Sequence, residues 1–457
     1  MRKLSLLLAL AAGGVVVVAA QQSDILIKLT GGERPLIAVP DFRGAGAAQA
    51  HMNAFNETLF RDLQESGLFR TAAKSLYPLE VPQRPEDFRP PRPGPKRGPA
   101  PKPVRMGPWL TDWSGPPVNA SYLALGYSAV QNDRIVVFGW FYNVTQPDLA
   151  NAQVFGKLYF GTVDSDGARK VAHEFAADIL DKFGARSLAG TRIYFTSNRT
   201  GNKEIWSTEP DGSAQKQITQ LGTISTFPAV SADNTRLAFT TYARGNPSIF
   251  MYSLETGRQL SFYNQRASMN SSPEFTPDSK HLLFSSTAAG GFAQLFVCAL
   301  DGSGLRRLSA VRAVEVEPKV HPKTGAELVF VSGRSGPPQI YKMTMDGADV
   351  IRLTDGEGEA VNPAWHPDGQ HIAFAWTKGY DPGNYNIFVM DVATRKTVQL
   401  THGAGRNENP SWAPDGRHLV FSSNRSGSTQ LWTMLADGTQ LRQLTTRGGN
   451  EEPVWSR

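Results

Sequence analysis

One cysteine, Cys298, stands in 457 residues. A lone thiol cannot close an internal disulfide, so stability must come from a large core or a closed architecture. Within "QLFVCAL" it reads as a small core residue. Charged residues are sparse at 19% and the formal net charge is only +6. Such a mild balance is no electrostatic footprint for nucleic acid, and no nucleic-acid partner is expected. Past residue 20, no apolar run is long enough to span a bilayer. Catalytic signatures are missing too. There is no Gly-x-Ser-x-Gly elbow ("GRSGP" at 333–337 lacks the last glycine), no phosphate loop, no Cys-x-x-Cys and no His-Glu-x-x-His. "DSDG" at 164–167 opens like a calcium loop, but its twelfth position is Phe175 rather than an acid, so it reads as a hairpin turn.

What the chain has in quantity is turn chemistry, 43 glycines and 31 prolines, set between short apolar runs. The first twenty residues stand apart. Arg2 and Lys3 precede "LSLLLALAAGGVVVVAA", and Val18 and Ala20 fit the positions before a signal-peptidase cut that leaves Gln21 first. The alternative is a permanent anchor, for which the run is short. Loss of Arg2 and Lys3 with the leader takes the charge from +6 to +4, with no membrane span left.

A short sentence is then written repeatedly: "SPEFTPDSKHLLF", "EPKVHPKTGAELVF", "NPAWHPDGQHIAF", "NPSWAPDGRHLVF". Pro228, Pro273, Pro318, Pro363, Pro410 and Pro453 recur at spacings of 45, 45, 45, 47 and 43. Two residues on comes Val230, Phe275, Val320, Trp365, Trp412 or Trp455. A Pro-Asp-Gly-type turn, a strand ending in Phe, an aliphatic–aromatic strand and an Asp-Gly turn follow. Four short strands in a period of this length make a propeller blade. Residues 191–219 hold strands two to four of a blade without the first; the chain end, "NEEPVWSR", holds a first strand alone. Joined, they complete a sixth blade and close the ring, which removes the long raw edges of an open array. The expected organisation is a leader (1–20), an arm (21–33), an α/β domain (34–187) and an all-β six-bladed propeller (188–457). The shared blade positions of His281, His371 and His418, and of His321 and His366, point to turn and packing duty.

In a four-stranded meander, alternate connections share a face. The Pro-Asp-Gly and Asp-Gly turns are uniform; the loops before each proline and after each Phe strand vary, and binding usually lives on such loops. The residues before the prolines (Phe227, Ser272, Glu317, Asn362, Asn409, Glu452) should ring the channel mouth, with Glu408 and Glu451 beside them. Arg199, Arg244, Arg334 and Arg425 should lie further out on that face. The set describes a polar, peptide-sized depression. A catalytic metal on the axis, as in a propeller hydrolase or lactonase, would have to use Glu317, Glu408, Glu451 and Glu452. No metal or cofactor is assigned.

Upstream, "RPLIAVPDF" reads as a buried strand. A helix over 47–66 carries Phe55, Leu59 and Leu63 on one face and stops at Gly67. Three strand segments follow, then an amphipathic helix over 168–185 with Val171, Phe175, Ile179 and Phe183 in a stripe. Between them, 81–108 holds ten prolines and seven Arg/Lys against two acids, which predicts a solvated, extended basic strip. Before the domain, "QQSDILIKLTGGE" alternates and ends in a Gly-Gly hinge, so "ILIKL" can add to a partner's sheet.

The order leader, arm "SDILIKLTGG", "RPLIAVPDF", helix "DLQESGLF", strands "YLALGYSAV" and "RIVVFGWFYNV", helix "HEFAADILDKF" and blades of the "NPAWHPDG…IAF" type resembles the TolB family of the Tol–Pal system. The resemblance covers nearly the whole mature chain, its N-terminal order being the more specific part. It implies a non-enzymatic periplasmic protein. The propeller mouth would bind the peptidoglycan-associated lipoprotein Pal, through positions here Ser272, Glu317, Asn362 and Asn409. The arm, here Asp24, Ile25, Leu26, Ile27, Lys28 and Leu29, would bind the inner-membrane protein TolA. The implied role is outer-membrane integrity and cell division. The insertion at 81–108 departs from the family pattern, leaving room for a further contact such as another outer-membrane lipoprotein, or for a TolB-like paralogue with a different envelope ligand.

Overall fold

The computed structural model describes residues 34–92 and 104–456. The leader, the arm at 24–29 and the centre of the proline-rich strip lie outside the described residues. The chain divides into two units, Gly31–Ala189 and Gly190–Arg457. Among the described residues, no helix is long and apolar enough to cross a membrane.

The first unit is built on one mixed sheet. Strand Leu36–Ala38 pairs in parallel with Arg70–Thr71 and with Tyr122–Gln131, and the sheet continues antiparallel through Arg134–Asn143 to Gln153–Gly161. Helices Met52–Glu65 and Ser165–Asp181 cover one face. Phe55, Leu59 and Leu63 from the first, and Val171, Phe175 and Ile179 from the second, share a core with Ile37, Val137 and Phe141. Gly67 takes φ 66° and ends the first helix.

Two local expectations are corrected. Residues 164–167 are not a hairpin turn. Asp164 is the N-cap of the second helix, its Oδ1 accepting from the Gly167 amide at 2.6 Å. The short carboxylate satisfies an amide that the helix start leaves orphaned, so the helix begins earlier than its apolar stripe. The strip at 81–108 is not solvated throughout either. Phe88 is buried against Tyr142 and Trp109, and its neighbours Leu110 and Trp113 close the second face of the sheet. Phe88 pins the strip's described beginning, where the rigid prolines around it lose little entropy on docking.

The second unit is six four-stranded antiparallel sheets. Blade 1 is the closing blade, in strand order Asn450–Trp455, Ile193–Thr200, Asn202–Thr208, Lys216–Gln217. Trp455 stands opposite Ile193 and Asn450 opposite Ser197, so the chain end supplies the strand that residues 191–219 lack. Trp455 Nε1 donates to Thr191 Oγ1 at 3.0 Å, and the Ser456 amide to the Arg192 carbonyl at 2.8 Å. Blades 2 to 6 follow in order, their innermost strands being Ser225–Val230, Asn270–Phe275, Glu315–Val320, Ala360–Trp365 and Asn407–Trp412. Cores form between adjacent blades: Ala238 and Met251 of blade 2 pack on Phe275, Leu282 and Phe284 of blade 3. Burying one such side chain is worth about 1.5–3 kcal/mol, and a lone blade has no partner face to do so. Cys298 lies in this core, and burial, with Asp301 beside it, pushes its thiol up to about 11.

Four of the five repeat histidines do turn duty; the fifth, His281, is exposed and its ring makes no hydrogen bond among the described residues. His371 and His418 each place Nδ1 2.7 Å from the aspartate of their own turn, Asp368 and Asp415. His321 and His366 reach across to the next blade, to the carbonyls of Gly369 (3.0 Å) and Gly416 (2.7 Å). Among the described residues, His366, Asp368 and His371 are the only His/Cys/Asp/Glu set whose ligating atoms all lie within 4.8 Å of one another. His366 Nδ1 already accepts from the Asp368 amide at 3.1 Å, which leaves this set to the turn.

Candidate functional site

Each innermost strand is an open edge facing the channel, and each carries a proline. Proline offers no N–H, so the six edges cannot pair across the axis. In every case the register shifts by one residue around the position before the proline, between Thr226 and Ala229 in blade 2 through to Glu451 and Val454 in blade 1. The extra residue is a β-bulge. Phe227, Ser272, Glu317, Asn362, Asn409 and Glu452 all have φ between 51° and 55°. This left-handed conformation is uncommon for residues bearing a Cβ, costs roughly 1–3 kcal/mol each and persists only where the surroundings over-determine it.

The surroundings here are partly the ring itself. The Phe227 amide donates to Glu452 Oε2 at 2.7 Å, and Thr196 Oγ1 to the same oxygen at 2.8 Å. The Asn362 amide donates to Glu317 Oε2 at 2.8 Å and the Asn409 amide to Asn362 Oδ1 at 3.3 Å. The Ser272 amide turns instead to Thr240 Oγ1, 3.1 Å away. The expected mouth residues are therefore brought together, and several of their side chains are occupied in holding neighbouring blades. Glu451 pairs with Lys203, and Glu408 with Arg406 at 2.7 Å. Glu317, Glu408, Glu451 and Glu452 thus each have a committed partner and do not converge as a ligand set.

Burial pushes the Glu452 carboxyl from 4.5 up to about 7, against the Phe227 hydrogen bond and with Glu451 adding to the rise. Burial also raises Glu317. A carboxyl raised on folding favours the protonated native state, so its contribution weakens stability as pH climbs from 4.5 toward 7 and stays unfavourable above. Glu452→Gln keeps an acceptor for Phe227. It should gain about 1–3 kcal/mol on wild type between pH 5 and pH 8, measured by urea unfolding at both pH values. A constant difference would mean that Glu452 does not titrate there.

Three of the four arginines expected on the rim are built into the blades. Arg199, Arg334 and Arg425 are half-buried. Each donates through Nε to a serine two residues back, Ser197, Ser332 or Ser423. Each also bonds through Nη2 to Asn450, Glu315 or Asn407 on the innermost strand. Each guanidinium lies over an aromatic ring, Trp206 at 4.5 Å, Tyr341 at 5.0 Å and Trp432 at 5.0 Å. The Ser-x-Arg spacing marks this clamp in the sequence. Arg244 lacks that serine and is exposed; its guanidinium still lies over an aromatic ring, Phe250, at 5.1 Å. Glu315 is fully buried and its charge is balanced by Arg334. Arg334→Ala should therefore destabilise by about 3–5 kcal/mol, read as a lowered denaturant midpoint. Loss under 1 kcal/mol would contradict the clamp.

The side chains this face offers outward are others. Ile224 (43% exposed), Tyr242 (40%), Phe292 (43%) and Val314 (48%) stand on the mouth loops of blades 2, 3 and 4. Sequence reasoning missed them, although a signal was present. Four residues before each proline the chain reads Ile224, Met269, Val314, Glu359, Arg406 and Gly449: apolar on blades 2 to 4, then charged or small. The mouth is thus divided into an apolar arc and a polar sector. Other exposed apolar residues of the propeller, such as Leu305, Val350 and Leu441, lie away from these mouth loops.

Comparison with known proteins agrees with this architecture. A family profile described as "TolB beta propeller domain" matches residues 181–376 and 353–457, more than half of the chain. A "Protein TolB homolog" of Chlorobaculum tepidum is 37% identical over 115 residues, 25% of this chain and 26% of that protein. A "Tol-Pal system protein TolB" of Cereibacter sphaeroides is 29% identical over 257 residues, 54% of this chain and 52% of that protein. The matches span between about a quarter and a half of the length of these curated relatives. The crystal structure of TolB from Acinetobacter baumannii superposes with a TM-score of 0.73 at 20% identity, over 93% of this chain and 97% of that one, a shared fold. With that profile over its ring of six blades, the chain belongs to the TolB β-propeller family.

Proposed function

We propose that the chain is a non-enzymatic periplasmic interaction module of the Tol–Pal system. Its propeller mouth binds the lipoprotein Pal, its segment 24–29 binds TolA, and the pair of contacts supports outer-membrane integrity and cell division. The observation that carries the reading is the division of the mouth: exposed Ile224, Tyr242, Phe292 and Val314 beside carboxylates tied up in bonds between and within blades. A rigid, uneven, partly apolar face suits a protein surface. It does not suit hydrolysis at an axial metal, since the four channel glutamates neither converge nor stand free. The names of the relatives support the system assigned.

The test is capture of two purified domains, soluble Pal and the periplasmic end of TolA, by the mature chain and by a variant lacking 21–33. Deletion is expected to remove TolA and leave Pal. Loss of both together, or of neither, would contradict the two-site arrangement. Capture of a different outer-membrane lipoprotein in place of Pal would make the chain a paralogue with another ligand.

A further inference from the structure

On the mouth face, a cleft of about 730 Å³ opens between the loops of blade 5 and Pro337 of blade 4. Its walls carry Glu357, Glu359 and Asp381, with Tyr380, Pro382 and Asn384 between them. Glu359 accepts from Tyr385 Oη at 2.6 Å. The carboxylates of Glu357 and Asp381 are exposed and have no hydrogen-bond or ion-pair partner among the described residues. Asn384 also lines the cleft, but its unpartnered Oδ1 is buried behind the wall, so the acceptors the cleft presents are the carboxylates. The nearby cations are committed elsewhere: Lys378 lies over the Trp376 ring at 4.5 Å, Arg406 on Glu408 and Arg334 on Glu315. The cleft is therefore rich in acceptors and poor in donors.

Resting on the reading of the mouth as a protein-docking face, we propose that this cleft receives a basic side chain, arginine or lysine, from the partner seated on the apolar arc. Two features select that chemistry. The three carboxylates do not form a set within metal-ligand distance of one another, so they surround a volume rather than a point. Pro337, Pro382 and Tyr380 give that volume apolar walls, suited to the aliphatic stem of a long cationic side chain while its head reaches the acceptors. The partner segment then combines an apolar residue over Ile224 and Val314 with a cation at the blade 5 sector. The charge sets orientation and on-rate, and the apolar arc holds.

The test is titration of soluble Pal against wild type and Glu357→Gln/Asp381→Asn at 50 and 500 mM NaCl. It is paired with amide NMR shifts on adding the blocked tripeptide acetyl-Gly-Arg-Gly-amide. The double variant should keep its melting temperature, bind Pal roughly 10- to 30-fold more weakly at low salt, and lose most of the salt dependence. The tripeptide should shift the Gly379 and Asn384 amides of wild type only. Equal Pal affinity for wild type and variant overturns the cleft's role while leaving Pal recognition intact. If Pal does not bind wild type but the tripeptide shifts those amides, the cleft stands as a cation site and the Pal reading fails. If neither binds, both are overturned.

Discussion

Removal of residues 450–457 is expected to leave a propeller that no longer unfolds cooperatively and that self-associates. The deletion strips Ile193–Thr200 of its inner neighbour, presenting a paired strand's free edge to other chains. It also removes Pro453 and Trp455 from the packing of blades 1 and 6; the Trp455 amide bonds Ser411 Oγ at 3.0 Å. The milder form is Trp455→Ala, which deletes one large buried ring and its bond to Thr191. It should destabilise by about 3–5 kcal/mol, lowering the melting temperature by about 10 °C. Size-exclusion chromatography and calorimetry read both. A monomeric deletion variant with an unchanged transition would mean that the ring does not depend on its latch.

The second large effect concerns binding. Ile224→Asp with Val314→Asp places two carboxylates on the apolar arc without touching the channel ring. If the arc is the central contact with Pal, each change should weaken binding by about 2 kcal/mol or more, together on the order of 1,000-fold at simple additivity. The fold should be spared, because both side chains are exposed. Isothermal titration against soluble Pal decides. Undiminished affinity would move the contact off blades 2 to 4. Phe292→Ser tests the same arc from blade 3, with a smaller expected loss.

Much of the ring was legible because a repeat writes backbone geometry in period. Proline spacing located the inner strands, the half-sentences at 191–219 and 450–455 located the closure, and the Pro-Asp-Gly turns explained the histidines. What the repeat could not convey was which copies use their side chains inwardly. Arg199, Arg334 and Arg425 look like rim charges until the serine two residues back and the aromatic ring beneath them are seen together. Ser272, Glu317 and Asn362 look like binding residues. Their left-handed backbone and their bonds to neighbouring strands are properties of the closed ring. The proposed contact draws on the departures from the repeat: the register four before each proline changes from Ile224 to Val314 to Glu359. In the α/β unit, composition misled twice. Phe88 was masked by the prolines around it, and Asp164 was read as part of a turn because its capping bond to Gly167 is local and leaves no periodic trace.

The central claim is that this closed ring docks a protein on its uneven face. Amide hydrogen exchange of the mature chain with and without soluble Pal addresses it most directly. Protection is expected in the mouth loops, residues 220–227, 287–293, 311–317 and 377–385, with the turns at 231–235, 276–280 and 366–370 on the opposite end unchanged. Protection confined to those opposite turns, or spread over the α/β unit with the mouth loops untouched, would contradict it.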